Sequence, residues 1–200
     1  MATSLKIRQH IQKNGVKVMV LGHEQVGKTT IINNLCSIIS DTLQSEGDTF
    51  KFMEASLSDM PNLRKLMIGT ANAFILTYAV DDDASFDYVT TLINDVQAVK
   101  GKNTPVFVVA NKMDKETTIQ KRIIADCVIT IDYECDHFEV CANTGKNIDS
   151  IAKKLFDYYG KYLLFPTSIE EEETYAEIEE TMTKSSKKLR TTIREFFCIR

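Results

Sequence analysis

The chain has 200 residues, 44% of them apolar, and a net charge of −4. That size suits one domain with a tail and a core that needs no disulfide staples. The mild acidity argues against a general nucleic-acid binder, and no apolar run approaches the roughly 18 residues of a membrane span. In chain order, Val16 to Leu21 is an apolar-rich run ended by Gly22, which reads as a buried strand entering a tight turn. Thr29 to Ile39 has helical spacing, with Ile31, Ile32, Leu35 and Ile38 as its apolar positions. Phe50 to Met53 reads as a short strand, and Asn62 to Ala71 as a helix with Leu63, Leu66 and Met67 on one face. Ala73 to Val80 is a second buried strand, and Ser85 to Val99 an amphipathic helix carried by Phe86, Val89, Ile93 and Val96. Pro105 opens a third strand, Val106 to Ala110; then follow a helix from Ile119 to Ile129, a strand from Phe138 to Cys141 and a core helix from Ile148 to Tyr162. Strands alternating with helices imply an α/β fold with a mostly parallel sheet covered on both faces.

Gly22-His23-Glu24-Gln25-Val26-Gly27-Lys28-Thr29 matches the phosphate-loop pattern G-x-x-x-x-G-K-[ST]. Glycine lets the backbone turn its N–H groups inward onto phosphate oxygens, and the following helix points its positive end at the same place. Lys28 is the cation for the outer phosphates; Thr29 offers a hydroxyl to Mg²⁺, and Thr30 follows in the same turn. Average residue usage gives this pattern by chance in about one chain of this length in a hundred. Its place between a predicted strand and a predicted helix makes chance rarer still. His23, at a variable loop position, is expected to face solvent.

Asn111-Lys112-Met113-Asp114 follows directly on the third predicted strand. With the phosphate loop, this N-K-x-D run resembles the Ras superfamily of small GTPases. The resemblance implies guanine recognition by the Asp114 carboxylate, a bracing role for Asn111 and a Lys112 stem lying over the base. Glu139-Val140-Cys141-Ala142-Asn143 is similar to the family's E-x-S-A-K loop. There the Ala142 N–H would meet the guanine carbonyl, beside Cys141, while Asn143 stands where the family has lysine. Ala73 to Val80 with Ser85-Phe86 resembles the family's central strand and the start of its next helix, and Asp132 to Ile148 resembles a more divergent Ras branch. The resemblance spans about residues 14 to 165 and implies a P-loop NTPase-like three-layer fold, GTP or GDP as ligand, and Mg²⁺ held by Thr29 and Glu54.

The departures fall on hydrolysis and switching. Where the family has D-x-x-G, this chain has Glu54-Ala55-Ser56-Leu57. Glu54, one methylene longer, can reach Mg²⁺ through water. Leu57 crowds the approach that a glycine gives the backbone N–H toward the γ-phosphate. Ser58 stands where a glutamine would orient the attacking water, and is too short to do so. Glu24 replaces a loop glycine and sets a carboxylate against the γ-phosphate. The segment from Ser40 to Phe50 is too short for the family's switch loop and edge strand together, and its only threonines are Thr42 and Thr49. The sheet is therefore expected to be shortened at the edge strand after the first helix. No residue is assigned as catalytic. Two readings follow: a small GTP-binding signalling protein with very slow hydrolysis, or a pseudo-GTPase interaction module whose nucleotide is structural or absent.

The expected organisation is an N-terminal extension over 1–15, the nucleotide-binding domain over 16–165 and a charged tail over 166–200. The tail is acidic from Glu170 to Glu173 and basic from Lys184 onward. Leu189, Ile193, Phe196 and Phe197 fall on one helical face with Lys187, Lys188, Arg190 and Arg194 around it, which suits an anionic membrane surface. The ending Cys198-Ile199-Arg200 does not fit a prenylation signal, although Cys198 could carry palmitate. Ala2 excludes N-myristoylation, and Met1 to Asn14 lacks the apolar core of a signal peptide. Cys36, Cys127, Cys135, Cys141 and Cys198 show no metal-ligand spacing with His10, His23 or His137; they read as reduced thiols of a cytoplasmic protein, peripheral at the inner face of the plasma membrane if the tail binds there.

Overall fold

The computed structural model describes residues 15–43, 50–55 and 60–163. Its strands are β1 (Val16–Gly22), β2 (Phe50–Ala55), β3 (Ala73–Ala79), β4 (Val106–Asn111) and β5 (Asp136–Glu139). Its helices are α1 (Lys28–Leu43), α2 (Pro61–Thr70), α3 (Asp83–Lys100), α4 (Ile119–Cys127) and α5 (Ile148–Leu163). The strands form one sheet in the order β2-β1-β3-β4-β5, and every adjacent pair is parallel. This is the doubly wound order whose direction reverses beside β1, where ligands characteristically lie outside the carboxyl ends of the strands.

The alternation of the strands builds the layers. Val16, Val18 and Val20 of β1 turn to one face and pack with Ile31, Leu35, Ile75, Val109, Ile151 and Leu155, beneath α1 and α5. Met19 and Leu21 turn to the other and pack with Ile68, Phe74, Leu76, Leu92, Ile93 and Val96, beneath α2 and α3. β3 and β4 are buried at every residue, as expected of central parallel strands covered twice.

Several boundaries differ from the sequence expectation. α1 runs to Leu43, and Thr42 hydrogen bonds through its hydroxyl to Ile38 O at 2.7 Å within that helix. Residues 44–49 lie outside the described residues, and β2 is the edge of the sheet among the described residues. The helix expected through Ile129 ends at Cys127 and gives way to a π turn over Val128–Asp132, where Ile129 becomes a core residue. β5 is Asp136–Glu139 rather than Phe138 to Cys141, because Cys141 leaves the sheet to bridge Lys146. On α2 the buried residues are Arg64 and Ile68, whereas Leu63 and Leu66 are exposed. Arg64 prevails because Asp95 on α3 answers its charge: Nε lies 2.7 Å from Oδ2. The Tyr88 hydroxyl adds a contact at 3.3 Å to Arg64 Nη1. Leu57, Ser58 and Thr49, the N-terminal extension and the charged tail lie outside the described residues.

Candidate functional site

The phosphate loop leaves β1 at the carboxyl edge of the sheet and enters α1 at Lys28. Its two glycines are required by close approach. A Cβ on Gly22 would lie 2.2 Å from Thr77 O of β3, and one on Gly27 would lie 2.4 Å from Asn111 Nδ2. Val26 is wholly buried between them; Glu24 and Gln25 are exposed. His23 does not face open solvent as expected, but sets its ring edge-on to Tyr88 of α3 at 6.1 Å between centroids. Thr30 is exposed in the first turn of α1.

Lys28 is 5% exposed, and its Nζ donates to His23 O at 2.7 Å and to Gly22 O at 3.3 Å. Burial lowers its pKa, while the Glu54 and Glu24 carboxylates pull it back upward. The loop thus holds one cation among its own carbonyls at the helix N-terminus, where an anion is favoured. The Thr29 hydroxyl donates to Glu54 Oε2 at 2.8 Å, so the structure brings together the two residues expected at Mg²⁺. The donor set fits that ion: both are hard oxygen ligands, and a hydroxyl whose hydrogen is held by Glu54 keeps its lone pairs for a metal. Among the described residues no group of three His, Cys, Asp or Glu gathers as a metal cage.

Asn111, 3% exposed, ties three loops together. Its Nδ2 donates to Val26 O of the phosphate loop at 2.8 Å, and its Oδ1 accepts from Ala142 N at 2.9 Å. Asn34 of α1 closes the same joint by donating to Ala142 O at 2.7 Å. The Ala142 N–H, assigned to a base carbonyl by resemblance, is in this structure a brace on Asn111. Cys141, 4% exposed, donates its thiol to Asp114 Oδ1 at 3.1 Å. That hydrogen bond is the first cause holding the Asp114 carboxyl below the usual carboxylate range. Asp114 is itself exposed and ionised, an acceptor-only edge as a guanine N1–H and amino group require. Lys112 adopts a left-handed backbone, φ 64°, and its Nζ lies 3.7 Å from Asp81 Oδ1. Asn143 is exposed beside Ala142.

Asn34 was not singled out from the sequence, although a signal existed: an asparagine three residues after Ile31 and just before Leu35, on the apolar stripe of α1. The Tyr88 partner of His23 carried no such signal, since it depends on how α3 packs beside the loop.

A profile of the Ras family matches residues 55–161, more than half of the chain. Similar proteins include GTP-binding protein drn-1 of Caenorhabditis elegans, 28% identical over 159 residues that make up 70% of this chain and 73% of the relative. GTP-binding protein Rhes of Homo sapiens is 28% identical over 171 residues, 72% of this chain and 64% of Rhes. Ras-like protein rasU of Dictyostelium discoideum is 23% identical over 158 residues, 71% of this chain and 74% of rasU. The chain therefore spans less than two thirds of Rhes, while it covers most of drn-1 and rasU. The all-parallel sheet in the order β2-β1-β3-β4-β5, the phosphate loop at the end of β1 and the profile match agree, and the chain belongs to the Ras family of GTP-binding proteins.

Proposed function

We propose that this chain is a guanine-nucleotide-binding signalling protein that hydrolyses GTP very slowly. The Asn111 joint carries this reading: one buried side chain fixes the phosphate loop through Val26 and the base loop through Ala142, so both ends of a nucleotide would meet one rigid unit. In it Lys28 and the N–H groups from Gly22 to Thr30 hold phosphate. Thr29 and Glu54 would hold Mg²⁺, which would supply charge neutralisation at the phosphates. Asp114, aligned by Cys141, reads guanine, with the Lys112 stem over the ring and Asn143 at the rim. The slow rate rests on residue identity: Leu57 and Ser58 stand at the positions that would approach the γ-phosphate and position water.

A direct test extracts and identifies the nucleotide of the purified protein, then follows phosphate release after GTP loading. Loss of water-positioning and charge-stabilising groups costs on the order of 10³ in rate. Guanine nucleotide with release slowed to that degree is expected; the rate of an intact small GTPase would sink the slow-hydrolysis reading. The pseudo-GTPase alternative would be favoured if no nucleotide is extracted and none binds on addition.

The basic end of the tail is the second part of the proposal, resting on its Lys/Arg cluster and apolar stripe from Leu189 to Phe197. It would place the protein in the cytoplasm, peripheral at the anionic inner face of the plasma membrane. Sedimentation with phosphatidylserine vesicles should fall at least tenfold on deletion of 184–200. Equal sedimentation of both forms would remove the tail as an anchor.

A further inference from the structure

Helix α4 carries an apolar face that, among the described residues, neither core covers. Ile119, Ile123 and Ile124 of α4, and Ile131 of the π turn that follows, are each more than half exposed, and Cys127 between them is exposed as well. Ile119, Ile123, Cys127 and Ile131 follow at four-residue steps, so they make one stripe along the outer side. None of the four isoleucines belongs to either core, whereas Ala125 and Ile129 on the inner side do. The helix is also pinned from beneath. Arg122 Nε donates to Glu139 Oε1 of β5 at 2.8 Å, and Asp126 Oδ1 lies 2.8 Å from His137 Nδ1. The stripe is therefore held facing outward, and apolar side chains gathered in this way mark a contact surface.

The charges of α4 select the partner. A helix is ordinarily matched by acids at its N-terminal, positive end and by bases at its C-terminal end. α4 has the reverse order: Lys121 and Arg122 stand in its first turn with no acid, Asp126 stands near its end with no base, and Asp132 closes the π turn. Arg122 is taken up by Glu139; Lys121 and Asp132 remain exposed, with Lys121 Nζ 2.7 Å from Asp83 Oδ2. A helix of ordinary charge order matches these charges only when it lies parallel to α4, with the two dipoles side by side and repelling. A second α4 matches them antiparallel, with the dipoles opposed. The stripe has the symmetry that such pairing requires. About a midpoint at Ala125, Ile119 falls opposite Ile131 of the second copy and Ile123 opposite Cys127, while Lys121 comes within one helical turn of Asp132.

We infer that α4 is a homotypic docking surface, on which a second copy of this chain seats its own α4 antiparallel across the stripe from Ile119 to Ile131. That surface is only about 20 Å long, which places the interface in the small, transient class. Pairing here asks nothing of the phosphate loop or of Asp114, so it stands apart from the proposed function.

Sedimentation equilibrium of the full chain tests this, with reductant present to keep the exposed cysteines as thiols, over about 10–500 µM, the range in which small interfaces associate. The wild type should show a reversible monomer–dimer equilibrium. Ile123→Glu places a charge that pairing would bury, and should weaken association about tenfold or more. Lys121→Glu sets like charges together and should also weaken it, and adding Asp132→Lys should restore it. All these side chains are exposed, so thermal melting close to that of the wild type checks that the fold is kept. A monomer at every concentration, or a dimer that Ile123→Glu leaves unchanged, would overturn the inference. Association that Ile123→Glu abolishes but that the Lys121→Glu/Asp132→Lys double variant fails to recover would overturn a second α4 as the antiparallel partner.

Discussion

Thr77 is the clearest case of a residue the fold tolerates at a cost. It is fully buried in β3 and, among the described residues, its hydroxyl has no hydrogen-bond partner. Its backbone oxygen crowds Gly22, so the position sits directly under the phosphate loop. A buried hydroxyl without a partner costs about 1–3 kcal/mol, and valine has nearly the same shape without it. Thr77→Val should therefore stabilise the protein by about 1–2 kcal/mol, read as a rise in the urea midpoint at unchanged m-value. No stabilisation would mean that the hydroxyl finds a partner in solution. The same scale shows what was legible in the site. Lys28, Thr29, Asn111 and Asp114 could be read because each lies in a motif whose spacing is local. The exchange between Cys141 and Asp114 and that between Asn34 and Ala142 join distant segments, and no local spacing encodes them.

At the scale of elements, α2 and α3 form a joined pair behind the phosphate loop. The Arg64–Asp95 ion pair is largely buried, with side-chain exposures of 8% and 18%. The Arg64 guanidinium also lies 5.7 Å from the Tyr88 ring centroid, and Lys100 Nζ of α3 donates to Gly69 O of α2 at 2.7 Å. Removing one member of a buried pair leaves the other charge without compensation and typically costs about 3–5 kcal/mol. Arg64→Ala should lose about 3 kcal/mol in urea unfolding, and adding Asp95→Ala should recover part of it. If the double variant is no better than the single, the pair is not the cause. This element also shows why the sequence expectation went astray. Periodicity marked Leu63, Leu66 and Met67 as the inner face, since an arginine scores as a surface residue. The acid on α3 that lets Arg64 enter the interior is thirty-one residues away. α4 makes the complementary point: it has helical spacing and Thr118 as its cap, yet none of its residues is buried, with Ile119 and Ile123 exposed at 73% and 57%. Apolar spacing finds a helix without saying that the helix has anything to cover.

At the scale of the whole molecule, the alternation of strand and helix was enough to place the fold class, because buried parallel strands are apolar throughout and their connections need helices. That β2 is the edge strand among the described residues agrees with the shortened edge expected from the brevity of the segment before Phe50. The extent of α1 was not, because Asp41 and Thr42 interrupt its apolar spacing while helical hydrogen bonding carries on to Leu43. The sheet that results has a consequence for the chain as it is made. β1 lies second in the sheet, paired to β2 on one side and β3 on the other, yet it is the first strand in sequence among the described residues. Neither neighbour is near it: Val16 pairs with Phe50 and Val18 with Ala73. At ordinary elongation rates β1 waits about 3–11 s for β3 to be synthesised. Throughout that interval the β3 edge of a nearly uninterrupted apolar strand is unpaired, and its other edge is unpaired until β2 has been made, which is the condition that favours pairing with other chains. Newly made β1 is thus a segment open to pairing with other chains before the sheet is complete.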